Sequence, residues 1–411
     1  MNAVSETETK KAPAPARGRD AGGIGAYLSR NLRQYGMMAA LLIIVGLFQV
    51  LTDNRLLLPN NVASLIQQNA YVLILAIGMV IVIVAGHIDL SVGSVVAFIG
   101  GVCALMMSDW NIPWLVAVLL SIALGGLVGC WQGFWVAYVG IPAFIVTLGG
   151  MLIFRGLAIV LVGTTVAGLP EGFNAISNNS LPNSLGFMGQ LDIVTVLIGI
   201  ITIVGLVVGQ IRTRRTLIRH ELKTEPFGAF VVKTVLFSLL ITFFTYLLAK
   251  SAGGMPIVLV IIGVLVLVYS FIMANTVFGR HVYAMGGNLP AAMLSGVKTK
   301  RVNFLVFVNM GLLTGVAAVV TTSRAGAAVA AAGQNFELDA IAAAFIGGTA
   351  VTGGIGKVSG AMIGALIMGV LNMGLSIMNV DASWQQTIKG LVLLAAVALD
   401  FLNKRRAGSS E

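Results

Sequence analysis

Apolar residues run along this chain in long blocks rather than in amphipathic stripes. Polar, Gly-rich or Pro-containing breaks divide them into about twelve segments, near residues 35–52, 64–86, 92–108, 113–138, 143–163, 190–210, 228–249, 255–274, 303–322, 338–352, 359–380 and 384–402. A helix needs roughly 20 apolar residues to cross the hydrocarbon of a bilayer, and most blocks reach about that length. The blocks 92–108 and 338–352 are short. They read as half-helices or re-entrant pieces, which a bilayer tolerates where other protein covers their ends. The pattern predicts an all-α polytopic membrane protein with about 12 transmembrane segments in a single domain over 35–402. Residues 1–34 read as a disordered basic tail holding Lys10, Lys11, Arg17, Arg19, Arg30 and Arg33, and 403–411 as a second short tail. A signal peptide would start its apolar core sooner and end it at a small-residue cleavage site, so block 35–52 reads as an uncleaved helix.

Composition sharpens this picture. Of 411 residues, 58 % are hydrophobic and 10 % charged, and the mean hydropathy is +0.97. An ordinary soluble domain is about a quarter charged. A chain this apolar has too little polar surface to cover itself, which argues against a soluble enzyme, a disordered chain and a disulfide scaffold. Cys103 and Cys130 both lie in apolar runs and read as buried free thiols.

The net charge of +10 is a matter of placement. With the N-terminus inside, nineteen Lys and Arg fall on the inner side, in the tails, around 212–223, in 280–301 and at Lys357. Only Arg55, Lys250 and Arg324 fall outside. This asymmetry predicts that both termini are cytoplasmic. It also predicts attraction to anionic lipid, with no nucleic-acid role. The outer loop 164–189 is long, polar and nearly uncharged, and reads equally as a lid, a docking surface or a disordered connector.

Glycines recur at four-residue spacing in Gly125–Gly129–Gly133, Gly311–Gly315 and Gly356–Gly360–Gly364, which lets helix backbones approach closely in lipid. Ionisable residues within the blocks are Asp89, Arg155, Lys233, Lys389 and Asp400. Most sit near a block end, where snorkelling suffices, and none stands out as the mid-membrane carboxylate of an ion-coupled carrier. Asp89 is the strongest candidate for a role beyond topology. It stands in the break GHIDLSVGS (86–94), where Ser91 is placed to cap the following helix, with Asp89 just ahead of its positive end. Structural capping and direct contact with a ligand are both open for it. His87, His220 and His281 are scattered, so no metal set and no nucleophile–base arrangement is arguable. Gly356–Lys357 does not complete a phosphate-binding loop, because Val351 and Val358 stand where that motif needs Gly and Ser or Thr.

The segment FGRHVYAMGGNLPAAMLSGVKTKR (278–301) lies between two blocks on the inner side. Gly286–Gly287–Asn288 reads as a turn, Pro290 as the first turn of a short helix, and Gly296 as its C-terminal cap. Such a helix is either a connector resting on the membrane or a lever that fits a groove on a soluble partner.

Here the chain resembles the permeases of ABC transporters, in the branch that imports ribose, xylose, arabinose and galactosides. The resemblance rests on GGN and LSGV in this loop, on GHIDLSVGS (86–94), on IPAFIVTLGG (141–150) with FRGLA (154–158), and on GGTAVTGGIGKVSGAMIGALIMGVLNMGL (347–375). It covers roughly residues 60–400. The extra basic loop and helix around 211–250 resemble the xylose-type members. The family's Glu-Ala-Ala motif is altered, because Pro290 replaces the Glu while Ala291, Ala292 and Gly296 stand. His87 replaces a frequent Gly.

The resemblance implies a multi-pass permease of the bacterial inner membrane that works by alternating access and carries no catalytic residue, metal or cofactor of its own. ATP hydrolysis falls to a separate ABC ATPase that grips Gly286, Gly287, Asn288, Pro290, Ala291, Ala292 and Gly296, within a coupling loop over 275–302. A periplasmic sugar-binding protein delivers the monosaccharide, xylose or a related sugar, and a second permease copy completes the pathway. A sugar has many hydroxyls and little charge, so Asp89, Ser91, Thr147, Asn309 and Asn372 are the candidate pathway residues, each equally readable as an interhelical hydrogen bond. The competing readings are an ion-coupled secondary sugar carrier, an ABC permease for another small polar solute, and a membrane scaffold or enzyme.

Overall fold

In the computed structural model, which describes residues 32–222 and 224–408, nearly the whole chain is helical. The tail expected over 1–34 falls almost entirely outside the described residues, as does Lys223. The helices in order are α1 (Leu32–Leu51), α2 (Pro59–Gln68), α3 (Ala70–Val84), α4 (Val92–Ser108), α5 (Trp114–Phe134), α6 (Ala143–Val162) and α7 (Glu171–Asn178). Then follow α8 (Ile193–Arg219), α9 (Phe227–Ala249), α10 (Ile257–Asn275), α11 (Val277–Gly287), α12 (Leu289–Leu294), α13 (Thr299–Ala325), α14 (Phe336–Ile346), α15 (Val358–Ile377) and α16 (Ala382–Gly408). Among the described residues, seven helices are long and apolar enough to cross a membrane, and eight if α2 and α3, bent by 47° at Asn69, form one span.

Helix α3 is the axis of the bundle. It is apolar on every side, and such a helix must be buried on every side. Ile74, Leu75, Ala76, Ile77 and Met79 are fully buried. Helices α10, α13, α14 and α15 surround it. Helix α13 then carries α5 on its far face, in the most extensive helix pair of the molecule. Glycine makes that contact. A side chain at Gly125 would strike the Gly311 carbonyl, and one at Gly129 would strike the Phe307 carbonyl. Lipid is as apolar as leucine, so helices in it gain little by hiding leucine from solvent. Close backbone packing supplies the attraction instead. The four-residue glycine spacing therefore has a direct structural meaning here.

The segment boundaries follow the hydropathy pattern closely, with instructive departures. The block at 64–86 is a broken pair, α2 and α3, because Asn69 turns its amide back to the Leu65 carbonyl, 2.9 Å away. Helix α8 runs nine residues beyond its apolar block, to Arg219, since Arg is a good helix former outside hydrocarbon. The final helix likewise continues to Gly408 through most of the expected second tail.

Loop 164–189 is not a loose connector. Strand β1 (Thr165–Ala167) pairs antiparallel with β4 (Ala327–Val329), and β2 (Phe187–Met188) with β3 (Leu191–Asp192). These short ladders are the exceptions to an all-α fold. Helix α7 buries Phe173 completely. It lies across the end of α13, where Ser323 Oγ donates to the Phe173 carbonyl and Asn178 Nδ2 to the Ser323 carbonyl, both at 2.8 Å. Both cysteines are free thiols. Cys103 is buried as expected, whereas Cys130 is only half-buried because it faces outward from α5.

Substituting Gly129→Leu should force α5 from α13 and destabilise the protein by roughly 1–3 kcal/mol. The readout is a lower thermal-aggregation midpoint of the detergent-solubilised chain. Gly156→Ala, at a glycine with no neighbour within 4 Å, should leave that midpoint unchanged.

Candidate functional site

Three chain segments meet at one end of the bundle: the last residue of α3, the junction of α11 and α12, and the glycine-rich loop 347–357. The Gly354 N–H donates to the Val84 carbonyl at 2.9 Å. Gly286 lies directly against that carbonyl, leaving no room for a side chain. Tyr283, on α11, donates its hydroxyl to the Gly356 carbonyl at 2.7 Å. Burial pushes the Tyr283 phenol up, so it holds its proton as a donor.

Gly286 and Gly287 form the last turn of α11 rather than a free turn, and Asn288 separates the two helices. Its Oδ1 accepts from the Ala291 N–H at 3.0 Å, capping α12. Pro290 occupies the first turn, where its missing N–H costs nothing. Ala292 is buried against the bundle. Gly296 closes the motif at φ +82°, a conformation that needs glycine. Leu289, Met293 and Leu294 point outward, and Leu294 is 91 % exposed. The seven residues expected to form a loop-end contact therefore build one rigid mount with an apolar tip.

The structure brings Asp89, Ser91 and Thr147 together at the break between α3 and α4. Asp89 Oδ1 accepts from the Ser91 N–H at 2.8 Å and from Ser91 Oγ at 2.6 Å. Ser91 stands at the N-cap of α4, but its hydroxyl is turned to Asp89 and caps nothing. Gln132, on α5, donates to Ser91 Oγ at 2.6 Å. Thr147 Oγ1 lies 3.4 Å from the Ile88 carbonyl. Asp89, Ser91, Gln132 and Thr147 are all buried. The polarity of this break is thus satisfied within the protein. His87 joins it to α13 through Nε2, 2.9 Å from Asn303 Oδ1, which gives the histidine at this position a packing role.

Asn309 and Asn372 lie apart from that cluster and from each other. Asn309 Oδ1 accepts from the Tyr269 hydroxyl at 3.2 Å, tying α13 to α10. Asn372 Nδ2 donates to Asn69 Oδ1 at 2.8 Å, tying α15 to the bend between α2 and α3.

Near that bend sits a charged pair that hydropathy alone did not single out. Asp339 Oδ2 accepts from the Tyr71 hydroxyl at 2.7 Å and lies 3.2 Å from Lys389 Nζ. Lys389 stands seven residues into the 27-residue helix α16, about 10 Å along its axis, just after the polar residues Ser383, Gln385, Gln386 and Thr387. The signal was available in the sequence: Glu337 and Asp339 open an otherwise apolar short block, and Lys389 interrupts another. Arg155 is inside its span, in the middle of α6. Its Nη1 donates to the carbonyls of Ala330 and Ala332, at 2.9 and 2.7 Å. Lys233, another of the ionisable residues read from the apolar blocks, pairs with Glu225. The Asp400 side chain lies outside the described residues.

Removing Lys389 leaves the buried Asp339 without its cation, and removing the Asp339 charge leaves the partly exposed Lys389 without its partner. Lys389→Met and Asp339→Asn should each lower the thermal midpoint of the purified chain. The double variant should recover most of the loss, a coupling that a double-mutant cycle measures.

The family model described as "Branched-chain amino acid transport system / permease component" matches residues 61–397. The xylose transport system permease protein XylH of Escherichia coli (strain K12) is 40 % identical over 389 residues, covering 94 % of this chain and 96 % of that one. The protein of the same name from Haemophilus influenzae (strain ATCC 51907 / DSM 11121 / KW20 / Rd) is 39 % identical, covering 92 % and 98 %. The ribose import permease protein RbsC of Escherichia coli (strain K12) is 31 % identical, covering 91 % and 95 %. No solved structure matches the chain. The end-to-end match, the multi-span helical bundle and the resemblance read from the loop motifs agree, and this chain belongs to the transport-system permease family.

Proposed function

We propose that the chain is the membrane subunit of an ATP-driven importer of monosaccharides, taking xylose or a related sugar by alternating access. The observation that carries this reading is the exposed apolar tip of α12 on its rigid mount. Leu294 and Met293 face water on a helix fixed at its start by Asn288 and buried behind by Ala292. Two residues this exposed and apolar suit a groove on a soluble partner. An ABC ATPase bound there can push on α11, which seats Gly286 on the end of α3. Every residue of helix α3 but Tyr71 is buried, so a push at its end is passed to the helices around it.

The wider arrangement follows from the same reading. Twelve crossings, with the short helix α14 and its flanking segments counted as one of them, place both termini in the cytoplasm. The basic helix end at Arg212 to Arg219 then also lies inside. A periplasmic binding protein docks at the opposite end, where α7 and the two short ladders make an ordered platform. Two copies of the chain form the working permease in the bacterial inner membrane. The xylose assignment rests on the names of the two xylose permeases that match nearly end to end. The chain brings no hydrolytic or redox chemistry of its own to this cycle.

The ion pair Asp339–Lys389 favours one competitor, an ion-coupled carrier. Yet Asp339 is already held by Tyr71 and Lys389, an arrangement that suits a brace between α14, α3 and α16.

Leu294→Asp should separate the two readings. The variant leaves the bundle untouched, so it should insert normally, lose the co-purifying ATPase and lose nearly all ATP-dependent sugar uptake in vesicles. Uptake that survives in this variant and collapses with an uncoupler would support the carrier. Gly296→Arg is a poorer probe, because φ +82° strains any side chain there. Asp89→Asn should reduce uptake only partly, since an amide oxygen can still accept from Ser91. Complete loss of uptake with normal expression would make Asp89 a pathway residue.

A further inference from the structure

A groove of about 920 Å³ opens between α1, α9, α11 and the start of α15. Helix α9 packs along α8 and against α2, and it stands away from α1 and α15 by the width of this groove. The walls are apolar along most of their length, with Leu42 from α1, Phe237 and Leu240 from α9, and Ile363 from α15. Polar residues lie only toward the end where α11 runs. Lys357 stands there at the N-cap of α15, exposed and with no ion-pair partner among the described residues. Lys233 stands on the opposite wall, paired with Glu225.

We infer that this groove is a binding site for an anionic phospholipid, with an acyl chain between α9 and α15 and the headgroup at Lys357. A sugar is a poor occupant, because its hydroxyls would meet few partners along these mostly apolar walls. The segment 1–31 carries five basic residues against three acidic ones, so its net charge has the same sign as Lys357. A second copy of the chain would bring the same lysine to face itself. A chain-like apolar molecule with one negative end matches both the walls and the charge, and the bilayer around the protein supplies it. The floor of the groove is loop 347–357, which is joined to α3 and α11 through Gly354 and Gly356. A lipid there fills the space beside the loop that seats α11.

The test uses the full chain purified from its native membrane and reconstituted in nanodiscs of phosphatidylglycerol, phosphatidylcholine or both. The readouts are native mass spectrometry and photo-crosslinking by a diazirine-bearing phosphatidylglycerol. The wild type should retain phosphatidylglycerol over phosphatidylcholine, with crosslinks on α9 and the first turns of α15. Lys357→Gln should cut that preference about five-fold, the effect of one lysine near an anionic headgroup. Leu240→Trp fills the groove and should abolish the crosslinks while leaving Lys357 in place. Equal retention of both lipids would overturn the proposal. So would crosslinks spread over the outward face of α5 and α6, or a groove occupied by residues 1–31 or by a second copy.

Discussion

In hydrocarbon no water is present to satisfy a backbone N–H or carbonyl, so every interruption of a helix must be served from within the protein. This chain interrupts its helices inside the bundle repeatedly, and the rest of its organisation follows from how each break is served. The bend at Asn69 is held by that residue's own amide and by Asn372. The break between α3 and α4 is held by Asp89, Ser91 and Gln132, with Thr147 at the Ile88 carbonyl. The segment after β4 hangs on the Arg155 guanidinium. Loop 347–357 is tied to Val84 and Tyr283. At these four breaks, polar residues of the apolar blocks serve backbone that a continuous helix would have satisfied alone.

Two kinds of packing support these breaks, and they differ in what they permit. Around α3 the contacts are large aliphatic side chains buried to completion, which resist displacement because a void between them forfeits dispersion contacts. Between α5 and α13 the contacts are backbone against backbone at Gly125, Gly129 and Gly311. Side chains interlock poorly on such faces, and sliding along them breaks few specific contacts. In the proposed import cycle the first set transmits movement and the second gives way. The α11–α12 mount stands at the rigid end, where its push is least dissipated.

Much of this was legible in the sequence because the bilayer imposes a length on each apolar block. Block 92–108 matches α4 residue for residue, and 143–163 and 228–249 match α6 and α9 within one residue. The loop at 278–301 was legible for a different reason. Asn, Pro and Gly each have a narrow conformational use, and at 288, 290 and 296 they occur in the order a short capped helix requires. Side-chain partners were not legible. Asp339 and Lys389 are fifty residues apart in sequence, and no periodicity connects them. Ser91 looked like a helix cap because spacing shows where a hydroxyl stands but not where it points. Gln132 and Tyr71, the partners that complete these networks, were hidden as single polar groups in apolar runs. Loop 164–189 was undecided because its order comes from docking on α13 and α10, a tertiary effect with weak local signs.

The placement of charge bears on how such a protein is driven. A neutral sugar brings no charge into the membrane, so its passage gives an intramembrane carboxylate nothing to answer. A carrier that moves a proton or cation needs a group that changes charge during the cycle, and a group already paired resists that change. Asp339 is paired with Lys389 and accepts from Tyr71. That arrangement ties α14 to α16 and α3. In the proposed cycle the free energy for transport enters from outside the span. Leu294 and Met293 on α12 offer an entry point, since they expose apolar surface on a mount joined through Gly286 to the end of the central helix. The ion pair and the exposed tip have complementary roles in the proposed cycle: one keeps α14 in place, and the other receives the force that moves its neighbours.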